Sequence, residues 1–295
     1  MLALDGLTFT VQPGQLFGFV GPNGAGKTTA MRIVLGVLAP DAGEVRWQGR
    51  PIDDAARAQF GYMPEERGLY AKMRVDEQLA YFAQLHGADA RGAQAMAERW
   101  MRRVGVAGRG RDRVESLSLG NQQRVQFAAA LVHDPVALVL DEPFSGLDPV
   151  GVDVMSEVLA ARARDGVPVL FSSHHLELVE RVCDAVAIIK DGRLMASGAV
   201  AELRGGAAHG MWRMEVLGAP ADWPAAVPGV EIVQRRGDEV LVRLADGGDD
   251  QALLDAARAA GAVRRFQPAT PSLAELFREA VVAADAEPAR QEQSA

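Results

Sequence analysis

Apolar residues along this chain fall into two kinds of run. "QLFGFV" (15–20), "VALVLDEP" (136–143) and "VPVLFSSHH" (167–175) are continuous apolar stretches ending in polar or acidic residues, which predicts buried parallel strands. "FGYMPEE" (60–66) predicts another short strand, broken by proline, and "EVRW" (44–47) alternates as an edge strand does. Apolar positions recur at helical spacing in "AMRIVLGVL" (30–38), from about Val75 to Val104, and in "VGVDVMSEVLAARARDG" (150–166), which stops at glycine. "AVAIIKDGRLMASG" (185–198) reads as a hairpin around Asp191-Gly192. Strands alternating with helices predict a parallel sheet in an α/β layer fold. The stretch from about 72 to 132 carries no strand pattern and reads as an inserted helical subdomain.

After "AELRGG" (201–206) the period changes. "GMWRMEVLG" (210–218) and "GVEIVQRRGDEVLVRLA" (229–245) alternate with period two, and "RRGD" supplies a turn. "DDQALLDAARAAG" (249–261) is helical, and "VRRFQPATPSLAELFREAVV" (263–282) gives a strand followed by a helix. The predicted division is a large domain over 1–204, a small α+β domain over 205–283 and a disordered polar tail over 284–295.

Composition narrows the setting. A net charge of -8 and a pI near 5.2 argue against nucleic acid as a bulk electrostatic partner. No apolar run approaches the length that spans a bilayer, and no secretion signal precedes the first motif. The single cysteine, Cys183, excludes an internal disulfide, fits a reducing compartment and reads as core filler. The expectation is a cytoplasmic chain.

Three segments carry chemistry. "GPNGAGKTT" (21–29) fits G-x-x-x-x-G-K-[ST] and stands after a strand and before a helix. Glycines at 21, 24 and 26 let backbone N–H groups converge on phosphate oxygens where a Cβ would intrude. The helix that follows directs its positive end at the same point. Lys27 would reach the β- and γ-phosphates, and the Thr28 hydroxyl would hold Mg2+. Gly21, Pro22, Asn23, Gly24, Ala25, Gly26, Lys27, Thr28 and Thr29 form the candidate nucleotide-binding set. Asp141 and Glu142 end an apolar strand beside that loop, where open α/β sheets bind ligands. Asp141 suits an outer or water-mediated contact to Mg2+, and Glu142 points elsewhere and suits a base that polarises water. "LSLGNQQRVQ" (117–126) places a serine and a bare glycine in a polar turn before a helix, which suits anion binding.

In that order, the phosphate loop, "LSLGNQQ", "LVLDEPFSGLDP" and "SSHH" resemble the ATP-binding subunits of ABC transporters, over residues 2 to 204. The resemblance implies a P-loop NTPase core and a head-to-tail homodimer or heterodimer with two ATP at its interface. It also implies a separate transmembrane permease and a peripheral position on the inner face of the cell membrane. Ser118 and Gly120 would bind the γ-phosphate held by the partner subunit, and Asp148 would cross the interface. His174 would contact the γ-phosphate, with His175 a weaker candidate. The family's Mg2+-contacting glutamine is replaced here by Glu65, which adds negative charge beside ATP. Leu119 and Asn121 also depart from the usual glycine and glutamine. "PEERGLY", "LSLGNQQ" and the appended α+β module resemble a branch serving type-two exporters of sodium and drugs. The resemblance further implies an opening strand with an adenine-stacking aromatic before "ALDGLTF" (3–9), so either the start is misassigned, which is the expectation, or the chain lacks that aromatic. The alternative class is a soluble ABC ATPase acting on ribosomes or nucleic acid. For the C-terminal module, ligand sensing, packing and dimerisation all remain open readings.

Overall fold

The computed structural model describes residues 2–207, 210–245, 247–269 and 272–277. The chain divides into two compact units, Met1–Gly198 and Ala199–Ala295. The first holds β1 (Leu16–Val20), α1 (Lys27–Val34), β2 (Arg46–Trp47), β3 (Arg50–Pro51), α2 (Asp54–Arg57), β4 (Phe60–Met63), α3 (Val75–Leu85) and α4 (Ala90–Arg103). It continues through α5 (Leu119–Leu131), β5 (Ala137–Leu140), α6 (Pro149–Arg164), β6 (Val169–Ser173), α7 (Leu176–Val182), β7 (Ala185–Lys190) and β8 (Arg193–Ala199).

The main sheet runs β4-β5-β6-β1-β7-β8, and the pairings from β4 to β7 are parallel. β1 is central and buried along its whole length, as its unbroken apolar run predicts. Parallel pairing puts the carboxyl ends of β4, β5, β6 and β1 on one edge. Pro64, Asp141, His174 and Gly21 therefore follow four neighbouring strand ends.

Helices cover the sheet closely. A Cβ built on Gly61 of β4 would lie 2.2 Å from the Ala130 carbonyl of α5, so strand and helix meet backbone to backbone. The helical subdomain is the α3–α4 pair, with Trp100 and Leu79 fully buried and Asp89 capping α4 through the Gly92 amide. α1 ends at Val34, before its apolar pattern does, because Gly36 takes a φ of +73°. β3 and α2 were not legible in advance. β2 and β3 turn about Gln48-Gly49, both at positive φ, and α2 is four residues held by an Asp53 cap.

The second unit holds α8 (Val200–Ala207), β9 (Met211–Leu217), β10 (Val230–Arg236), β11 (Glu239–Leu244), α9 (Asp250–Ala260) and β12 (Ala262–Pro268). Its antiparallel sheet has the order β10-β11-β9-β12. Leu253 and Ala257 of α9 pack with Met214, Val216, Val240 and Val242 of the sheet, which makes the small α+β module. The tail read as disordered over 284–295 lies outside the described residues, as does the predicted last helix beyond Phe277.

One joint between the helical subdomain and the sheet layer is sensitive to protons. His86, just after α3, and His133, just after α5, stack face to face with ring centroids 3.6 Å apart and planes within 5°. Burial, then the neighbouring His86, lowers His133 to about 4 from its ordinary 6.5. The unfolded chain therefore takes up a proton there before the folded chain does. Stability should fall as pH drops from 6.5 toward about 4 and level off below that. Urea unfolding at stepped pH should show this slope, and His133→Gln should flatten it within that window.

Candidate nucleotide site

The phosphate loop is shaped by close approaches. A Cβ on Gly21 would sit 2.3 Å from the Ile189 carbonyl of β7, so only glycine fits where the loop leaves β1. Gly24 and Gly26 adopt φ of +82° and +102°, which L side chains avoid. Ala25 is 2% exposed and anchors the loop, while Pro22, Asn23 and Gly24 face solvent. Thr29 sits in the first turn of α1. Lys27 is buried, and its Nζ donates to the Gly21 and Pro22 carbonyls at 2.7 and 3.1 Å. The ammonium is thus curled back over its own loop. Burial pulls the Lys27 pKa below its usual range, against Glu142, Asp141 and Glu65, which pull it up. A triphosphate would offer Nζ an anionic partner in direct contact, in place of the two loop carbonyls.

The acidic strand end meets the loop directly. Thr28 Oγ1 donates to Asp141 Oδ2 at 2.8 Å, and Ser172 of β6 donates to Asp141 Oδ1. The same Ser172 oxygen accepts the Glu142 amide at 2.9 Å. Asp141 and Glu142 are 1% and 7% exposed. Glu142 takes a left-handed φ of +49°, a strained conformation for a residue with a side chain. Gln123 of α5 helps to hold it, donating to the Glu142 and Pro143 carbonyls at 3.2 and 2.9 Å. His174 Nδ1 lies 2.9 Å from Glu142 Oε1, where an Nδ1–H donates to the carboxylate. His175 stacks beside His174, and its backbone amide donates to Ser173 Oγ at 3.0 Å.

Ser118, Gly120 and Asp148 form a second group. Ser118 caps α5, its hydroxyl accepting the Asn121 amide at 3.4 Å. Asp148 caps α6 through the Gly151 amide at 2.7 Å, and Arg124 of α5 reaches Asp148 at 3.3 Å. Gly120 faces the Gly146 carbonyl across the gap between the two caps. The polar turn expected before α5 is corrected here. The helix starts at Leu119, so Gly120 lies inside its first turn, because the Ser118 cap already closes the entry.

Glu65 is exposed on the loop after β4, close enough for its charge to act on Lys27. Among the described residues no cluster of three or more His, Cys, Asp or Glu side chains could hold a metal alone. Thr28, Asp141 and Glu65 present only hard oxygen donors. That suits Mg2+, which takes one or two carboxylates and completes its shell with phosphates and water. Sequence reasoning missed Ser172, Gln123 and Gln126. Ser172 was within reach, being a hydroxyl in the last turn of an apolar strand beside the one that ends in Asp141. The glutamines look like surface polar residues until α5 is seen to bury them.

The sequence matches the family model described as ABC transporter over residues 4–145, and the model described as ATP-binding protein DrrA1-3-like, C-terminal domain, over 198–281. It is similar to an uncharacterized ABC transporter ATP-binding protein, YhaQ, of Bacillus subtilis, with 37% identity over 95% of this chain and 93% of that protein. Nod factor export ATP-binding protein I of Paraburkholderia xenovorans is 39% identical over 68% of this chain and 67% of its own length. Among solved structures, an ATP binding subunit of an ABC transporter matches with a TM-score of 0.63 and 29% identity, over 69% of this chain and 86% of that one. The cbiO1 protein of Clostridium perfringens, part of the ABC transporter complex cbiONQ, matches with a TM-score of 0.62 and 27% identity, over 68% and 83%.

Removing the Ser172 hydroxyl would leave the buried Glu142 amide unpaired and free one oxygen of Asp141. Ser172→Ala should destabilise the chain by about 1–3 kcal/mol. It should also lower kcat for ATP hydrolysis more than it raises KM, since the bond from Thr28 to Asp141 does not involve Ser172. Steady-state kinetics beside chemical denaturation would separate the two effects.

Proposed function

The chain belongs to the ABC transporter ATP-binding proteins, which hydrolyse ATP to power transport, and from that premise we propose a head-to-tail dimer that closes on two ATP. The observation that carries this reading is the separation of the motif residues into two groups. Hydrogen bonds join Thr28 of the Gly21 to Thr29 loop to Asp141, and His174 to Glu142, while Ser118, Gly120 and Asp148 cluster about the start of α5. A second copy, or a related subunit, supplies the Ser118 hydroxyl and the free N–H groups of its α5 to the γ-phosphate.

Within the closed dimer, Lys27 leaves the Gly21 and Pro22 carbonyls for the β- and γ-phosphates. Thr28, Asp141 and Glu65 would hold Mg2+, which would neutralise charge on the phosphates. Glu142 accepts the proton of the attacking water as the bond from the γ-phosphorus to the bridging oxygen breaks. ADP and phosphate leave. His174, set beside Glu142, contacts the γ-phosphate. The helical subdomain passes closure to a separate permease, and loss of phosphate reopens the pair.

The permease supplies the membrane path, since among the described residues no helix is long and apolar enough to cross a membrane. The chain then sits in the cytoplasm on the inner face of the membrane. The match of residues 198–281 to the DrrA1-3-like module and the likeness to an export ATP-binding protein support export as the direction.

Glu142→Gln keeps the shape and removes the base. It should bind ATP normally and lose at least about a hundredfold in hydrolysis, while accumulating as an ATP-bound dimer in sedimentation. Unimpaired hydrolysis would refute the role given to Glu142. A strictly monomeric variant, even beside its permease, would refute the shared site.

A further inference from the structure

The loop that carries Glu65 is tied to helices at both ends. At its start Gln126 of α5 donates from Nε2 to the Pro64 carbonyl at 2.7 Å and to the Glu66 carbonyl at 3.3 Å. At its far end the Tyr70 amide donates to Oε1 of Gln78 on α3 at 2.7 Å. Gln126 is 4% exposed and Gln78 fully buried, whereas Glu65 itself faces solvent. Gln126 thus grips the backbone on either side of Glu65 and leaves the carboxylate free.

The amide is oriented for this task. Only an NH2 group carries two donors for two carbonyls, and Gln126 Oε1 is buried with no hydrogen-bond partner among the described residues. The side chain forgoes a bond of its own to keep both loop contacts. α5 is a firm anchor, being in backbone contact with β4 where Gly61 meets the Ala130 carbonyl. Gln123, three residues earlier on the same helix face, holds the Glu142 and Pro143 carbonyls in the same way. One face of one helix therefore fixes both acidic segments of the site.

We propose that Gln126 is a positioning residue that sets the distance of Glu65 from Thr28 and Asp141 and makes it follow α5. This rests on the reading of Glu65 as an oxygen donor to Mg2+ given above. Ser118 caps α5, so any shift of that helix when Ser118 meets the opposite subunit's nucleotide is carried through these two hydrogen bonds to Glu65 of the same chain.

Gln126→Met keeps the length of the side chain and removes both donors. In the ligand-free full-length chain, hydrogen exchange should quicken at the amides of the Glu65 loop and stay unchanged in α5. The Mg2+ concentration that half-saturates ATP hydrolysis should rise about tenfold, the size expected when a metal ligand loses its outer support. kcat at saturating Mg2+ should change little. Glu65→Ala should raise the Mg2+ requirement as well, and the double variant should add nothing to it. Unchanged loop exchange and an unchanged Mg2+ requirement in Gln126→Met, beside a shifted Glu65→Ala, would overturn the role of Gln126 alone. Faster exchange along all of α5 would make Gln126 a packing residue and overturn it too. An unchanged Mg2+ requirement in Glu65→Ala would remove the reading of Glu65 and the inference with it. If Gln126→Met does not fold, Gln126→Glu presents oxygen to both carbonyls in the same shape and serves the same comparison.

Discussion

Asp141 accepts the Thr28 hydroxyl on one oxygen and the Ser172 hydroxyl on the other, and Ser172 accepts the Glu142 amide in turn. This run of bonds joins the phosphate loop after β1 to the ends of β5 and β6. It depends on strand order, since β6 must lie between β5 and β1 for one serine to serve both acidic residues. Asp141, Glu142 and Ser172 are buried and Thr28 partly so, which strengthens these bonds and makes a missing partner costly. Loss of Asp141 would release the Thr28 and Ser172 hydroxyls together.

Two of the site's devices work against local preference. Lys27 is held in a buried place that disfavours its charge, and Glu142 takes a left-handed backbone that disfavours its side chain. Both are tolerated because neighbours over-determine them, Lys27 through two loop carbonyls and Glu142 through Ser172 and Gln123. Departures from local rules of this kind gather where chemistry is done.

Most of the architecture was legible in the sequence because its parallel strands announce themselves. Short unbroken apolar runs ending at Gly21, at Asp141 and at Ser172-Ser173 have the length and bounds of interior strands, and they form β1, β5 and β6. The phosphate loop was equally plain, since its glycines answer steric demands that the structure displays at Gly21, Gly24 and Gly26. The Gln48-Gly49 hairpin and the four-residue α2 were not legible, because segments so short carry no period. Gln123 and Gln126 escaped for a different reason. Their work is long-range, each bonding to carbonyls 19 or more residues away, and nothing in a polar helix predicts that its amides turn inward.

The hairpin turn at Asp191-Gly192 has a bearing that its place in the chain conceals. The Gly192 amide donates to the carbonyl of Ala25, the buried residue of the phosphate loop, at 3.0 Å, and the Gly192 carbonyl accepts the Asp5 amide at 2.9 Å. The loop is therefore held by a segment well over a hundred residues downstream, through backbone hydrogen bonds that need no ligand. Its conformational entropy is lost on folding and not on capture, so nucleotide affinity is free to reflect charge and fit.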